Sequence, residues 1–281
     1  AFRMVRPITQ MSATAELLSE KDLSKRLDLN QIDSELAGLA EVLNRLFSRL
    51  DASFSRQRQF TADASHELRT PLTVIRSASE LALSQPRSPE EYQETIEVSL
   101  KAAERMTNLV NGLLALARLD SSNADFHLQQ INLSDLVGES VSLLGAIASE
   151  KKISLVSDLH AVQILANSES LSRMIDNLIT NAILYNKPGG KVFITLSKSD
   201  NKALLEIKDT GVGISEEHLP FIFERFYRVD KARSRLSGGS GLGLAICKGV
   251  IEKHNGTITV QSILGEGTTF QIQLPVWKDS I

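Results

Sequence analysis

The sequence predicts a helical half followed by a layered α/β half. Three observations carry this. Leu36, Leu39, Leu43, Leu46 and Leu50 recur at alternating steps of three and four, and a second such series runs from Ile96 to Ala117. After Ile131, β-branched runs interleave with helical segments over about 150 residues, the texture of a compact α/β domain. Glycine divides in the same way: only Gly38 and Gly112 precede residue 131, while ten of the 16 glycines lie between 211 and 267. With 281 residues there is chain enough for about two domains with cores of their own. Hydrophobic content of 42% and charged content of 23% exclude a disordered or collagen-like chain. A single Cys excludes a disulfide framework, and no Cys/His cluster has zinc-ligand spacing. The net charge of −3 gives no global attraction to nucleic acid or to an anionic membrane. No apolar run approaches the roughly 18–20 residues of a spanning helix.

The first element is a helix from near Ile8 through Leu18, followed by a polar stretch, Lys21 to Gln31. The leucine series is then a coiled-coil seam, flanked by a polar face of Glu35, Glu41, Arg45, Arg49 and Asp51. No proline interrupts it before Pro71, which predicts one helix from about Asp33 through His66, bent by Pro71 one turn later. Around Gln85–Glu91, Ser88 fits an N-cap and Pro89 the first helical position, with Glu90 and Glu91 at the positive end of the dipole. Ile96, Leu100, Ala103, Thr107, Val110, Leu114 and Ala117 form the second seam. The apolar faces of such a hairpin exceed what one hairpin can bury, which predicts a dimeric four-helix bundle. Beyond it, helices are expected at Leu133–Glu150, Glu169–Tyr185 and Leu242–His254. Strands are expected at Val192–Leu196, Leu204–Ile207, Thr257–Val260 and Thr268–Ile272. Neither a phosphate-binding P-loop nor a dinucleotide fingerprint is present.

Four strings carry chemistry. In the segment from Phe60 to Leu72, His66 and Thr70 share a helical face, with Glu67 and Arg69 beside them. A neutral imidazole is a nitrogen nucleophile, and an adjacent carboxylate can hold one ring proton while the other nitrogen attacks. Asn177, Asn181 and Tyr185 form one helical stripe; an amide oxygen suits Mg²⁺, although exposed polar residues would look the same. Asp209-Thr-Gly211-Val-Gly213 follows a strand, where Asp can accept from an exocyclic amine and glycines admit a flat ligand; an ordinary turn uses the same residues. Gly238-Gly239-Ser-Gly241-Leu-Gly243 opens a helix and offers free amides to an anion. Arg228, Lys231, Arg233 and Arg235 precede it and can screen a triphosphate; a nucleic-acid patch is the competing reading, opposed by the acidic balance. Gly265–Phe270 reads as a structural turn between strands.

In this order and spacing, the strings from about Phe60 to Pro275 resemble the H, N, G1, F and G2 boxes of membrane-sensor histidine kinases in two-component signalling. The resemblance implies a dimerisation and histidine-phosphotransfer hairpin over 57–122. Over 128–278 it implies an ATP-binding two-layer α/β sandwich of the Bergerat fold shared with gyrase and heat-shock chaperone ATPases. Residues 1–56, with Pro7 and Glu35, resemble a HAMP signal-relay domain built as a parallel coiled coil, with Ala37 where that pattern has Gly. By the same resemblance His66 is the phospho-acceptor and Glu67 its acid/base partner, and Thr70 belongs to a phosphatase site. That reading of Thr70 stands against a hydroxyl bonded to its own helix.

The resemblance further assigns Asn181 to Mg²⁺, Asn177 to the phosphates, Tyr185 to the pocket wall and Asp209, with Gly211 and Gly213, to adenine. Gly239, Gly241 and Gly243 belong to the lid, and Arg228 reaches the outer phosphates. Leu184 stands where the family often has Lys, so a phosphate contact is either missing or supplied by Lys187 or Lys231. Hydrolysing Bergerat ATPases carry a Glu at the position of Asn177, which cannot activate water, so ATP is expected to be held until His66 is in line.

The implied activity is autophosphorylation of His66 and transfer to an Asp of a response regulator. A nucleotide-binding scaffold and a chaperone-like ATPase are the alternatives. The implied cofactors are ATP and Mg²⁺. The implied partners are a second copy and a receiver domain, with no nucleic acid. The expected setting is the cytoplasmic portion of a bacterial inner-membrane protein whose spanning segments precede Ala1. Cys247 is expected to pack in the core, and His127, His160, His218 and His254 need no role.

Overall fold

The computed structural model describes residues 26–27, 34–121, 126–229 and 239–277. The chain divides into two compact units, Ala1–His66 and Glu67–Ile281. Most of the HAMP-like region lies outside the described residues, with Pro7 and the side chains of Glu35 and Leu36 among what is left out. Helix α1, Ser34–Ser84, runs 51 residues as one element, with Pro71 inside it. Proline removes only the bond to the carbonyl four residues earlier, and the helix continues beyond it. In the first unit, Leu27 is buried against Ala40, Leu43 and Phe47. The Asn44 amide fastens it from both sides, accepting from Leu27 N at 2.8 Å and donating to Leu27 O at 3.0 Å. The rest of the seam, Leu39, Leu46 and Leu50, is exposed on the single chain.

Helix α2, Pro89–Asp120, starts with the Ser88 cap, and Glu91 completes a capping box by accepting from Ser88 N at 2.8 Å. Ala102, Leu109 and Leu116, seven apart, form its buried line. Ile96, Leu100, Val110 and Leu114, from the predicted seam, are exposed on the single chain. No helix among the described residues is long and apolar enough to cross a membrane.

The α/β part contains β1 (Gln129–Asn132), α3 (Leu133–Glu150), β2 (Ser154–Leu159), β3 (Gln163–Ala166), α4 (Ser168–Leu184), β4 (Lys191–Ser199) and β5 (Lys202–Asp209). A 3₁₀ turn at Glu216–Phe221, α5 (Gly243–Lys253), β6 (Thr257–Ile263) and β7 (Gly267–Pro275) follow. Five strands form one sheet in the order β2-β4-β5-β7-β6, with β2 parallel to β4 and the other pairs antiparallel; β1 and β3 pair separately. Strand alternation explains the core. Val192, Ile194 and Leu196 of β4, Leu205 and Ile207 of β5, and Ile272 and Leu274 of β7 turn inward, where α4 supplies Leu171, Met174, Ile175, Leu178 and Ile179. Each such side chain contributes about 1.5–3 kcal/mol on burial. The helices and strands expected from about Asp33 onward are all present, the helix expected over Ile8–Leu18 lies outside the described residues, and the short strands β1, β2 and β3 are additions.

Helix α5 also packs on α2. A Cβ on Gly112 would meet Leu242 Cδ1 at 3.0 Å, and one on Gly249 would meet Leu119 Cδ1 at 3.1 Å. Two polar ties reinforce the seam: Arg225 Nη2 holds Asp120 at 2.8 and 2.9 Å, and Lys253 Nζ donates to Ser121 O at 3.0 Å.

His254 caps the end of α5 and joins it to the start of α4. Its Nδ1 lies 2.7 Å from the Val250 carbonyl, and its Nε2 faces Asn167 N at 3.0 Å. A carbonyl only accepts and an amide only donates, so the ring is neutral with its proton on Nδ1. Burial lowers its pKa, opposed by the bond to Val250. A depressed histidine contributes stability that is complete above the unfolded value near 6.5 and is lost as pH falls toward the folded value. Thermal midpoints should therefore fall between pH 7 and pH 5 more steeply in the parent than in His254→Gln. Parallel curves would refute the assignment.

Candidate functional site

Two periodicities assemble the candidate site. Inward-facing positions of β5 run Ala203, Leu205, Ile207, Asp209, so the pleat that fills the core carries one carboxylate in at its end. On α4 the buried stripe leaves Asn177 and Asn181 on the opposite, half-buried side, and Tyr185 caps the helix with its side chain 42% exposed. Asn167 starts this helix, its side chain accepting from Ser170 N at 2.9 Å.

Asp209 is 7% exposed. Its Oδ1 accepts from Gly211 N at 2.8 Å and from Thr268 N at 3.2 Å, leaving Oδ2 open to a donor. Burial raises its pKa, and the two backbone bonds oppose the rise. Thr268 is the residue that the sequence reading passed over. It is buried, with Oγ1 2.9 Å from Ser262 Oγ, and its backbone fixes the carboxylate. The available signal was its place directly after Gly267, whose φ of +127° brings β7 against the Asp209 backbone.

The loop after β5 folds onto the end of α4. Val212 N donates to Tyr185 O at 3.0 Å, and a Cβ on Gly211 would overlap that same carbonyl. Gly213 lies equally close to the Ile263 carbonyl, and Gly265 N donates to Val212 O at 2.8 Å. Lys187 Nζ donates to the Gly265 carbonyl, which commits it to the β6–β7 turn. Leu184 is half-buried.

At the other end, Gly241 O accepts from Phe226 N at 2.9 Å, and Gly239 lies near the Tyr185 hydroxyl. Gly243 begins α5 against Asn177: a Cβ there would sit 2.6 Å from Asn177 Oδ1. Only glycine lets the Asn177 amide and the α5 N-terminus approach this closely. The structure thus gathers Asn177, Asn181, Tyr185, Asp209, Gly211, Gly213, Gly239, Gly241 and Gly243 around one end of α4 and β5. Gly238, Lys231, Arg233 and Arg235 lie outside the described residues. The Asn181 amide makes no hydrogen bond among the described residues, so its oxygen is available to a hard cation.

Arg228 goes elsewhere. Its guanidinium, 8% exposed, lies 3.7 Å from Glu67 Oε2, and Arg105 Nη2 lies 2.9 Å from the same oxygen. Glu67 follows His66 on α1, and His66 and Thr70, one helical turn apart, are both exposed. Cys247 is fully buried with Sγ 3.6 Å from Met174 O, and burial pushes its thiol up to about 12, so it packs α5 on α4 and is chemically inert.

Residues 166–278 match the family described as histidine kinase-, DNA gyrase B-, and HSP90-like ATPase, and residues 56–122 match the His Kinase A (phospho-acceptor) domain. The chain is 35% identical over 269 residues to the sensor histidine kinase CusS of Escherichia coli O157:H7, covering 96% of this chain and 56% of that protein. It is 40% identical over 230 residues to the sensor histidine kinase RppB of Synechocystis, covering 80% and 50%. It is 31% identical to the signal transduction histidine-protein kinase ArlS of Staphylococcus aureus (strain USA300), covering 96% and 60%. The chain therefore spans about half the length of the curated relatives it matches.

Among solved structures, full-length ShkA in complex with AMPPNP aligns with a TM-score of 0.59 at 25% identity, over 79% of this chain and 47% of that one. The histidine kinase ThkA in complex with the response regulator TrrA aligns at 0.67 and 23% identity, over 82% and 65%, and shares the fold. With the phospho-acceptor hairpin and the ATPase domain matched in one chain, in that order, the chain belongs to the histidine kinases of two-component signalling.

Proposed function

We propose that this chain binds ATP between α4 and β5 and transfers its γ-phosphoryl group to His66, from which it passes to an aspartate of a response-regulator receiver domain. The observation that carries the reading is Asp209: a buried carboxylate with one oxygen fixed by two backbone amides and the other open to an exocyclic amine. Gly211 and Gly213 keep the adenine floor thin, Tyr185 walls it, and Gly239, Gly241 and Gly243 form the lid root over the phosphates. Asn177 supports the phosphates and, lacking a carboxylate, does not activate water. Asn181 is the residue suited to hold Mg²⁺, which when bound shields the charge of the phosphate oxygens.

The unprotonated imidazole nitrogen of His66 attacks the γ-phosphorus while the bond to the β-phosphate oxygen breaks and ADP leaves. Glu67 holds, then accepts, the proton on the other ring nitrogen. Arg228 is proposed to turn to the outer phosphates, and Thr70 to position water for the reverse, phosphatase reaction on the regulator. Residues 1–56 would relay a signal, 57–122 pair two copies through the exposed seams of α1 and α2, and 128–278 bind nucleotide. Membrane attachment would come from segments outside this sequence.

Incubation with γ-labelled ATP tests this directly. Acid-labile, alkali-stable label is expected on the parent, and it should disappear in His66→Gln and in Asn181→Ala. Label surviving His66→Gln, or steady phosphate release without label, would overturn the assignment.

A further inference from the structure

Resting on that reading, we infer that Arg105 is a positioning residue: with Arg228 it clamps the Glu67 carboxylate and holds back autophosphorylation. Both guanidiniums converge on one oxygen, Glu67 Oε2, at 2.9 Å from Arg105 Nη2 and 3.7 Å from Arg228 Nη1. The cluster is shielded from water, with the side chains of Arg105, Glu67 and Arg228 exposed by 17%, 30% and 8%. Such partial burial strengthens the attraction relative to an open surface pair. Two cations on one carboxylate more than neutralise it, and they compete with an imidazole for its acceptor sites. A third positive charge, the imidazolium that forms as His66 attacks, is then poorly accommodated beside it.

The two cations arrive by different routes, which makes the clamp releasable. Arg105 is built into α2 and is present whenever the hairpin is folded. Arg228 follows Phe226, whose amide is bonded to Gly241 at the lid root, so its position depends on the nucleotide end of the domain. The Arg225–Asp120 and Lys253–Ser121 ties and the Gly112–Leu242 contact hold that domain against α2 in the arrangement that brings Arg228 to Glu67. ATP offers Arg228 a more highly charged anion. Its departure leaves Arg105 as the remaining restraint, and Arg105 sets how readily Glu67 is freed.

The test is the initial rate of His66 labelling by the whole chain at saturating γ-labelled ATP, with the ATP dissociation constant measured alongside. Arg105→Ala and Arg105→Gln, which remove the charge with and without loss of bulk, should label roughly three- to tenfold faster, the scale set by a partly exposed ion pair, with ATP affinity unchanged. Arg105→Lys, which restores the cation, should return toward the parent rate. In a Glu67→Asp background the shorter carboxylate draws away from α2, and the Arg105→Ala acceleration should shrink. Acceleration of the same size in that background, or rates no faster than the parent in both Arg105 variants, would overturn the clamp. A parent chain that fails to label at all would instead overturn the kinase reading.

Discussion

Asp209→Asn should abolish ATP binding while leaving the domain folded. The backbone amides of Gly211 and Thr268 both donate to Oδ1, so an asparagine there must place its amide oxygen at that site. Its NH₂ group then occupies the Oδ2 position and points a donor at the donor of the adenine amine. A site made to accept a hydrogen bond loses about 100-fold or more in affinity when the match is broken in this way. Folding has no reason to suffer. Burial already disfavours the charge on Asp209, and the amide is isosteric. Titration calorimetry with ATP and a thermal melt decide the matter: lost binding with a midpoint that does not fall is expected, and parental affinity would refute the assigned role.

Gly267→Ala should be the most damaging single change in the ATP-binding part. With φ at +127°, residue 267 occupies backbone space that L-residues rarely enter, at a strain of about 1–3 kcal/mol. A Cβ would in addition overlap the Asp209 carbonyl and lie 2.8 Å from its carbon, both rigid backbone atoms. β7 would have to shift away from β5, and Thr268 N would leave the carboxylate. Loss of roughly 3–5 kcal/mol in urea unfolding is expected, together with loss of ATP binding. Gly265→Ala is the control: its φ is +88°, and nothing lies within 4 Å of its Cβ direction. It should show the strain alone. Equal losses in the two variants would mean that backbone overlap is not what makes residue 267 glycine.

The local elements of the fold were legible because they rest on short-range rules. Leu133–Glu150 matches its predicted range, since its cap residue and apolar spacing are contiguous in the chain. β2 escaped notice because Ser154–Leu159 alternates weakly, with exposed residues at both Ser154 and Val156–Asp158. β1, Gln129–Asn132, is half glutamine and becomes a strand only through pairing with β3. At Pro71 one hydrogen bond is lost, which sets a bend rather than a stop, and the remaining bonds of the 51-residue element carry it through as one helix.

The candidate site divides along the same line. The period of a helix put Asn177, Asn181 and Tyr185 on one stripe, and the period of a strand put Asp209 inside with Ala203, Leu205 and Ile207. These placements needed nothing beyond backbone geometry. Thr268 fastens a carboxylate 59 residues away, Arg105 reaches one 38 residues away, and His254 meets Asn167 across 87. No local pattern encodes such pairs, because a polar residue on a helix or strand looks the same whether its partner is a distant side chain or water. The sequence by itself determined the Asn177, Asn181 and Tyr185 stripe and the glycine-rich loops. Only the tertiary structure decided which backbone amides hold Asp209 and which cations hold Glu67, since those contacts exist only once sheet order and helix packing have closed the distance.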